Sequence, residues 1–332
     1  MKNCKLILIE GIPGSGKSTT AQYISKVLRT NNILHKWWYE EEKEHPIYIY
    51  EDHESMQQVV TNLANGNYRE VIDLALEQWA RFSSAIQASD EIIIVDSSLF
   101  GYLTWSLFPY NVPIDEIKEY ALKVEALISG CNPHLIYLYQ NDIHAALTKI
   151  CERRSGDTEK NFTNAATGSV YGLSRGLSGF DGLTAYWQDY RVLTDDLFKE
   201  LSMSRISINN SDGNWPLYNS EILKFLYINL DKFERFGNYD AQRFVGTYQS
   251  KDMDQHVSLI VNKEGKLVAD GLPHVWTKTI LIPRSSNIFD VQSLPFQVAF
   301  EEDNLQNLRM HLTGSALFDG PVDYMLIRNK GN

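Results

Sequence analysis

The chain has 332 residues, 43% hydrophobic and 22% charged, with 20 glycines and 10 prolines, which excludes collagen-like, low-complexity and wholly disordered chains. Acidic residues outnumber basic ones, 42 to 31, for a formal net charge of −11; bulk electrostatics therefore oppose binding to a phosphate backbone, and no nucleic-acid partner is expected. Three scattered cysteines, Cys4, Cys131 and Cys151, and the absence of a membrane-length apolar run set the expectation of a reducing, cytoplasmic chain without a membrane partner. The first apolar run, Leu6–Ile9, is too short for a secretion signal and is followed by Glu10.

At roughly 150 residues per domain, the length allows about two domains. Short apolar runs recur at Leu6–Ile9, Lys36–Tyr39, Ile92–Val95, Leu135–Tyr139 and Ile206–Ile208, separated by helix-length segments. Such runs read as strands of a parallel sheet buried on both faces. Ala21, Ile24, Val27 and Leu28 share one helical face, as do Tyr186, Tyr190, Leu193, Leu197 and Leu201. The stretch Met56–Ala88 is expected to be two helices broken at Asn65-Gly66-Asn67, and Asp115–Ser129 a helix between Pro113 and Gly130. Strands alternating with helices predict an α/β domain.

The texture changes after Arg235, where Phe236-Gly237-Asn238-Tyr239 breaks the helical pattern. Short runs at β spacing follow: Val245–Tyr248, Val257–Val261, Leu267–Ala269, Lys278–Ile282, Phe296–Phe300, Leu308–Leu312 and Tyr324–Ile327. They predict an antiparallel barrel or sandwich. The expected division is a nucleotide-binding catalytic domain over 1–235 and a β-rich accessory domain over 236–332.

The most specific motif is Gly11-Ile12-Pro13-Gly14-Ser15-Gly16-Lys17-Ser18, which fits G-x-x-x-x-G-K-[ST] between a buried strand and an amphipathic helix. Its glycines let successive N–H groups turn toward phosphate oxygens, and the helix N-terminus adds partial positive charge. Lys17 supplies an ammonium for the β/γ-phosphates and Ser18 a hydroxyl for Mg²⁺. Gly11, Pro13, Gly14, Ser15, Gly16, Lys17, Ser18 and Thr19 are the expected nucleotide-binding residues, with ATP and Mg²⁺ as the cofactors. Glu91–Asp96 reads as a buried strand ending in the carboxylate expected beside such a loop, so Ser18 and Asp96 are the candidate metal residues.

Ile9–Thr20, with Glu10 before the first glycine, resembles the start of thymidylate kinases and the wider nucleoside and nucleotide kinase group. Pro133–Tyr139 with a helix ending Arg153-Arg154, and Ile206–Ile208 followed by Asn209-Asn210, resemble that group's fourth strand, lid-entry helix, last strand and adenine-side loop. The resemblance spans about residues 3–230. It implies a P-loop kinase-like parallel sheet flanked by helices and transfer of the γ-phosphoryl of ATP to a small-molecule acceptor: a nucleoside, a nucleotide, or a hydroxyl-bearing metabolite or antibiotic. It also implies Glu40, after the second strand, as general base and Arg81, in Trp79-Ala80-Arg81-Phe82, as a substrate-side arginine. Thymidylate kinases carry Asp-Arg after the third strand; Asp96-Ser97-Ser98 lacks that arginine, which favours a hydroxyl acceptor over a phosphate.

Trp37 and Trp38 are adjacent strand residues pointing to opposite faces, so at most one stacks on substrate; Trp38 is the candidate. Glu40-Glu41-Glu42 also reads as a solvated acidic run. Arg153 and Arg154 cannot share a helical face, so one is expected at the nucleotide, and both also complement a helix C-terminus. Gly168–Gly182 holds five glycines and Arg175, a composition that suits a lid over substrate or a plain surface loop. The competing class is a nucleotide-driven switch or regulatory ATPase without a small acceptor. A GTPase is disfavoured: Asn262-Lys263-Glu264-Gly265 lacks the aspartate of Asn-Lys-x-Asp. The β-rich tail is open to three roles: substrate cover, homodimer surface or packing appendage.

Overall fold

The computed structural model describes residues 3–154, 156–228, 239–250, 256–275, 278–302 and 307–329. The chain divides into two units, Met1–Glu40 with Glu44–Lys232, and Glu41–Lys43 with Phe233–Asn332. The expected junction at 235/236, with its break at residues 236–238, lies outside the described residues.

The first unit is built on five parallel strands: β1 (Leu6–Glu10), β2 (His35–Trp38), β3 (Ile92–Asp96), β4 (His134–Tyr139) and β5 (Ser204–Asn209), in the order β2-β3-β1-β4-β5. Alternation along β1 sends Ile7 and Ile9 to one face and Leu6 and Leu8 to the other. Ile7 and Ile9 pack with Ala21, Ile24 and Leu28 of α1 (Lys17–Thr30) and Ile222 of α10 (Trp215–Phe225). Leu6 and Leu8 join a larger core with α3 (Tyr68–Ala88), α5 (Ile114–Ile128) and α9 (Gly179–Glu200). Full burial of each such side chain stabilises by about 1.5–3 kcal/mol, which fixes the sheet between two helical layers.

The helical elements follow their local signals. α2 (His53–Ala64) opens with a capping box between Asp52 and Ser55, and the chain turns through Gly66 into α3. α4 (Phe100–Trp105) follows β3, and α6 (Ile143–Arg154) follows β4. The glycine-rich stretch 168–182 follows α7 (Thr158–Thr167) and contains α8 (Val170–Ser174) and the start of α9. Two of its glycines allow close packing: a Cβ at Gly172 would lie 2.3 Å from the Ala166 carbonyl, and one at Gly182 3.0 Å from the Leu177 backbone.

The second unit is a closed antiparallel barrel of β6 (Gly246–Ser250), β7 (His256–Val261), β8 (Leu267–Asp270), β9 (Thr279–Pro283), β10 (Ile288–Val291), β11 (Phe296–Glu302), β12 (Leu308–Gly314) and β13 (Asp323–Arg328). Phe244, Tyr248, Phe289, Phe296 and Phe300 are fully buried, as expected when eight strands enclose an interior that side chains fill. Within this unit Glu42 bridges Leu317, so part of the acidic run Glu40–Glu42 is not a free solvated segment. The strand missed from sequence is β10: Asp290 interrupts its apolar pattern yet is only 8% exposed, 3.8 Å from the Arg284 guanidinium.

Candidate functional site

The carboxyl ends of β1, β2 and β3 place the loop 11–16, Glu40 and Asp96 on one edge of the sheet, where open α/β sheets form their ligand crevice. β1 leads into the loop 11–16, which enters α1 at Gly16 in the left-handed region, φ +97°. At Gly11 the backbone runs so close to β4 that a Cβ would sit 2.3 Å from the Leu138 carbonyl. Pro13 and Thr19 are half-buried and Gly14 is exposed. Lys17 is buried, and its Nζ donates to the Ile12 carbonyl at 3.4 Å.

Asp96 closes β3 beside this loop. It is fully buried, and Ile9 is its register partner on β1. Trp37 Nε1 donates to Asp96 Oδ1 at 3.1 Å. Burial, followed by the neighbouring Glu40 carboxylate, pushes the Asp96 carboxyl up to about 7, against the opposing Ser18 hydroxyl, Trp37 indole and Lys17 ammonium. Lys17, Ser18, Glu40 and Asp96 thus form one electrostatic neighbourhood.

Among the described residues, Asp96 Oδ2 and Ser15 Oγ are buried without a hydrogen-bond partner. A buried carboxylate oxygen with no donor, on a carboxylate that also meets the Ser18 hydroxyl, is a donor set that suits a hard divalent cation. Among the described residues, no group of three or more His, Cys, Asp or Glu could hold a metal. Ser18 and Asp96 fit the sparser pattern of Mg²⁺, which keeps waters and substrate phosphates among its ligands.

Three neighbours brace the loop. The Asn210 amide donates to the Ser15 carbonyl at 2.5 Å, and its backbone N–H to the Tyr139 carbonyl at 2.7 Å. Trp215 lies against Gly16, and Ile150 of α6 against Gly14. Arg154, one helical turn beyond Ile150, shares its face and lies over the Phe162 ring at 5.7 Å; Arg153 is exposed.

Glu10 is fully buried at the end of β1. Its carboxylate accepts from Ser98 N at 2.9 Å, Ser98 Oγ at 3.2 Å, Leu99 N at 2.6 Å and Gly101 N at 3.1 Å. Burial raises its carboxyl, against the pull of those N–H groups and Lys17. Glu10 thereby ties the segment after Asp96, including Ser97 at φ +63°, to the root of the loop 11–16.

The remaining candidates lie apart from this neighbourhood. Trp38 sits under the Lys36 ammonium, 3.1 Å from its ring centre, and edge-on to His45 at 5.7 Å. His45 stacks on Tyr48 at 4.5 Å, and Tyr48 meets Trp105 edge-on at 6.0 Å. Tyr48 also donates its hydroxyl to the Glu40 carbonyl at 2.6 Å. Arg81 stands on the outer face of α3, its side chain 71% exposed and 3.5 Å from Glu77, while Trp79 turns inward to donate to the Tyr120 hydroxyl. Arg175 is exposed, donating to Asn111 Oδ1 at 3.0 Å and lying 3.5 Å above the Tyr171 ring.

All three cysteines are free and buried. Among the described residues, no helix is long and apolar enough to cross a membrane.

Sequence reasoning named Trp37, Asn210 and Glu10 but not what they hold: Asp96, the Ser15 carbonyl and the 98–101 backbone. The signal for Trp37 was strand parity: its register partner is Ile94, two residues before Asp96, so both side chains share a face. No family model and no curated protein matches the chain. Among solved structures, the chain is similar to the crystal structure of thymidylate kinase from Ehrlichia chaffeensis, with 14% identity, coverage of 68% of this chain and 100% of that one, and a TM-score of 0.37.

Proposed function

We propose that residues 1–235 form an ATP- and Mg²⁺-dependent phosphotransferase that moves the γ-phosphoryl of ATP to a hydroxyl on a small molecule, with residues 236–332 as an accessory domain. The observation that carries this reading is the convergence of Lys17, Ser18, Glu40 and buried Asp96 beside a glycine-formed loop. The backbone N–H groups of Gly14, Gly16 and Lys17 would cradle the phosphates, and the Lys17 ammonium and the Ser15 N–H would exchange their shared Ile12 carbonyl partner for them. Ser18 and Asp96 would hold Mg²⁺, which when bound neutralises charge on the phosphate oxygens. Glu40 would take the acceptor's proton as its oxygen bonds to the γ-phosphorus, the bond to the bridging oxygen breaks and ADP leaves. Arg154 would add positive charge at the moving group.

The test is ADP release across a panel of acceptors for the wild type, Lys17→Ala and Asp96→Asn. Each variant should lose at least about 10²-fold in turnover. Wild-type turnover in both would defeat the reading, and slow ADP release that no acceptor changes would favour a nucleotide-driven switch.

A further inference from the structure

A cavity of about 590 Å³ opens beside the phosphate loop, between that loop and α4, α7 and α9. Its walls include Pro13 of the loop and the rings of Trp105, Tyr110, Phe162, Tyr186 and Trp187. None of the fourteen residues lining it is an Asp, Glu, Lys, Arg or His. Its serine and threonine are already engaged by the backbone. Thr104 Oγ1 donates to the Gly101 carbonyl, and Ser169 Oγ donates to Ala166 and accepts from Gly172. The volume lies within the roughly 300–1,000 Å³ of small-molecule sites.

Position and chemistry together constrain the occupant. Pro13 puts one end of the cavity at the loop, and Arg154, over the Phe162 ring, brings a cation to that neighbourhood. A phosphate monoester seated against the rings would find no cation among the lining residues, only the Asn164 amide at the exposed rim. A polyamine would face the same deficit in carboxylates. The residue after Asp96 does not supply an arginine either. It is Ser97, held at φ +63° and packed so tightly that a Cβ at Gly101 would lie 2.4 Å from its Oγ. The aromatic rings instead offer faces and edges to a neutral ring.

We infer that the acceptor is an uncharged, ring-bearing alcohol, seated among Trp105, Tyr186 and Trp187 with its hydroxyl toward the phosphate loop. This deepens, and rests on, the phosphotransferase reading. A nucleotide or a polycationic sugar is the wrong occupant for these walls.

The experiment titrates the full-length protein, without ATP, with benzyl alcohol, 2-phenylethanol, thymidine and uridine, and with their phosphate monoesters, following tryptophan fluorescence and calorimetry. At least one neutral probe should bind at least about tenfold more tightly than its ester. Ala165→Trp, which fills the cavity from α7, should weaken that probe at least tenfold and leave ATP affinity unchanged; Val170→Trp repeats the test from α8. Ester binding that survives both substitutions is assigned to the phosphate loop. Failure of every neutral probe to bind, or tighter ester binding that both substitutions abolish, overturns the inference. The bound neutral probe is then supplied with ATP. If it binds but releases no ADP, the phosphotransferase reading fails while the chemistry of the cavity stands. If only an ester supports ADP release, the acceptor assignment fails and the phosphotransferase reading stands.

Discussion

Gly16→Ala separates the two constraints on the entry to α1. Gly16 lies at φ +97°, and a non-glycine residue in the left-handed region costs about 1–2 kcal/mol. Its added Cβ would also fall 2.3 Å from Trp215 Cη2 and 3.0 Å from Cζ2, well inside the roughly 3.5–4.0 Å at which carbon atoms rest. The indole is rigid and meets Tyr218 edge-on at 5.9 Å, so relief requires moving packed rings, at about 1–3 kcal/mol. The sum is about 2–5 kcal/mol. Gly66→Ala is the control: φ is +81° and nothing lies within 4 Å of the added carbon, so only the backbone cost of about 1–2 kcal/mol applies. Urea unfolding followed by tryptophan fluorescence compares the two, and Trp215→Leu in the Gly16→Ala background should recover the overlap portion. Equal destabilisation of Gly16→Ala and Gly66→Ala, with no recovery in the double variant, would refute the reasoning.

Glu40→Gln should slow the chemical step by about 10²–10⁴-fold while ATP binding persists, measured by single-turnover quench and calorimetry; an unchanged rate would remove Glu40 from proton transfer. His45 yields an acid-side prediction. Burial, then the Lys36 charge, pulls its imidazole down to about 3 from an ordinary 6.5, so below pH 6.5 the unfolded chain binds a proton that the folded chain refuses. Its stability contribution is present above pH 6.5 and is lost as pH falls toward 3. His45→Phe should therefore flatten the fall in melting temperature across that window, and an unchanged slope would mean that the buried ring charges readily.

The central strands β1, β3 and β4 were legible because each is a short buried apolar run between helix-length segments, whereas the edge strands β2 and β5, expected to be buried on both faces, are only partly buried. The loop 11–16 between β1 and α1 was legible because its glycines, lysine and serine stand at fixed spacing. What escaped depends on register or on distant segments. Choosing between Trp37 and Trp38 required knowing which face Asp96 occupies. The walls of the cavity come from Trp105, Phe162 and Trp187, which no local pattern joins. The reading of 168–182 rested on glycine composition, which does not show that Gly172 and Gly182 sit where a Cβ would meet neighbouring backbone. β10 was hidden because Asp290 breaks the alternation by which the other barrel strands were recognised.

Closure of the barrel carries a consequence for association. Among the described residues its ring of strands has no first and no last member, so these strands offer no free edge onto which a peptide or a second copy could be added. Alternation along each strand sends one set of side chains inward and presents the other outside, where Ile260 is 47% and Met325 44% exposed. Any contact that this unit makes with itself or another protein must therefore be written in outward side chains and rim loops, and changing those residues can alter association without touching a single ladder hydrogen bond.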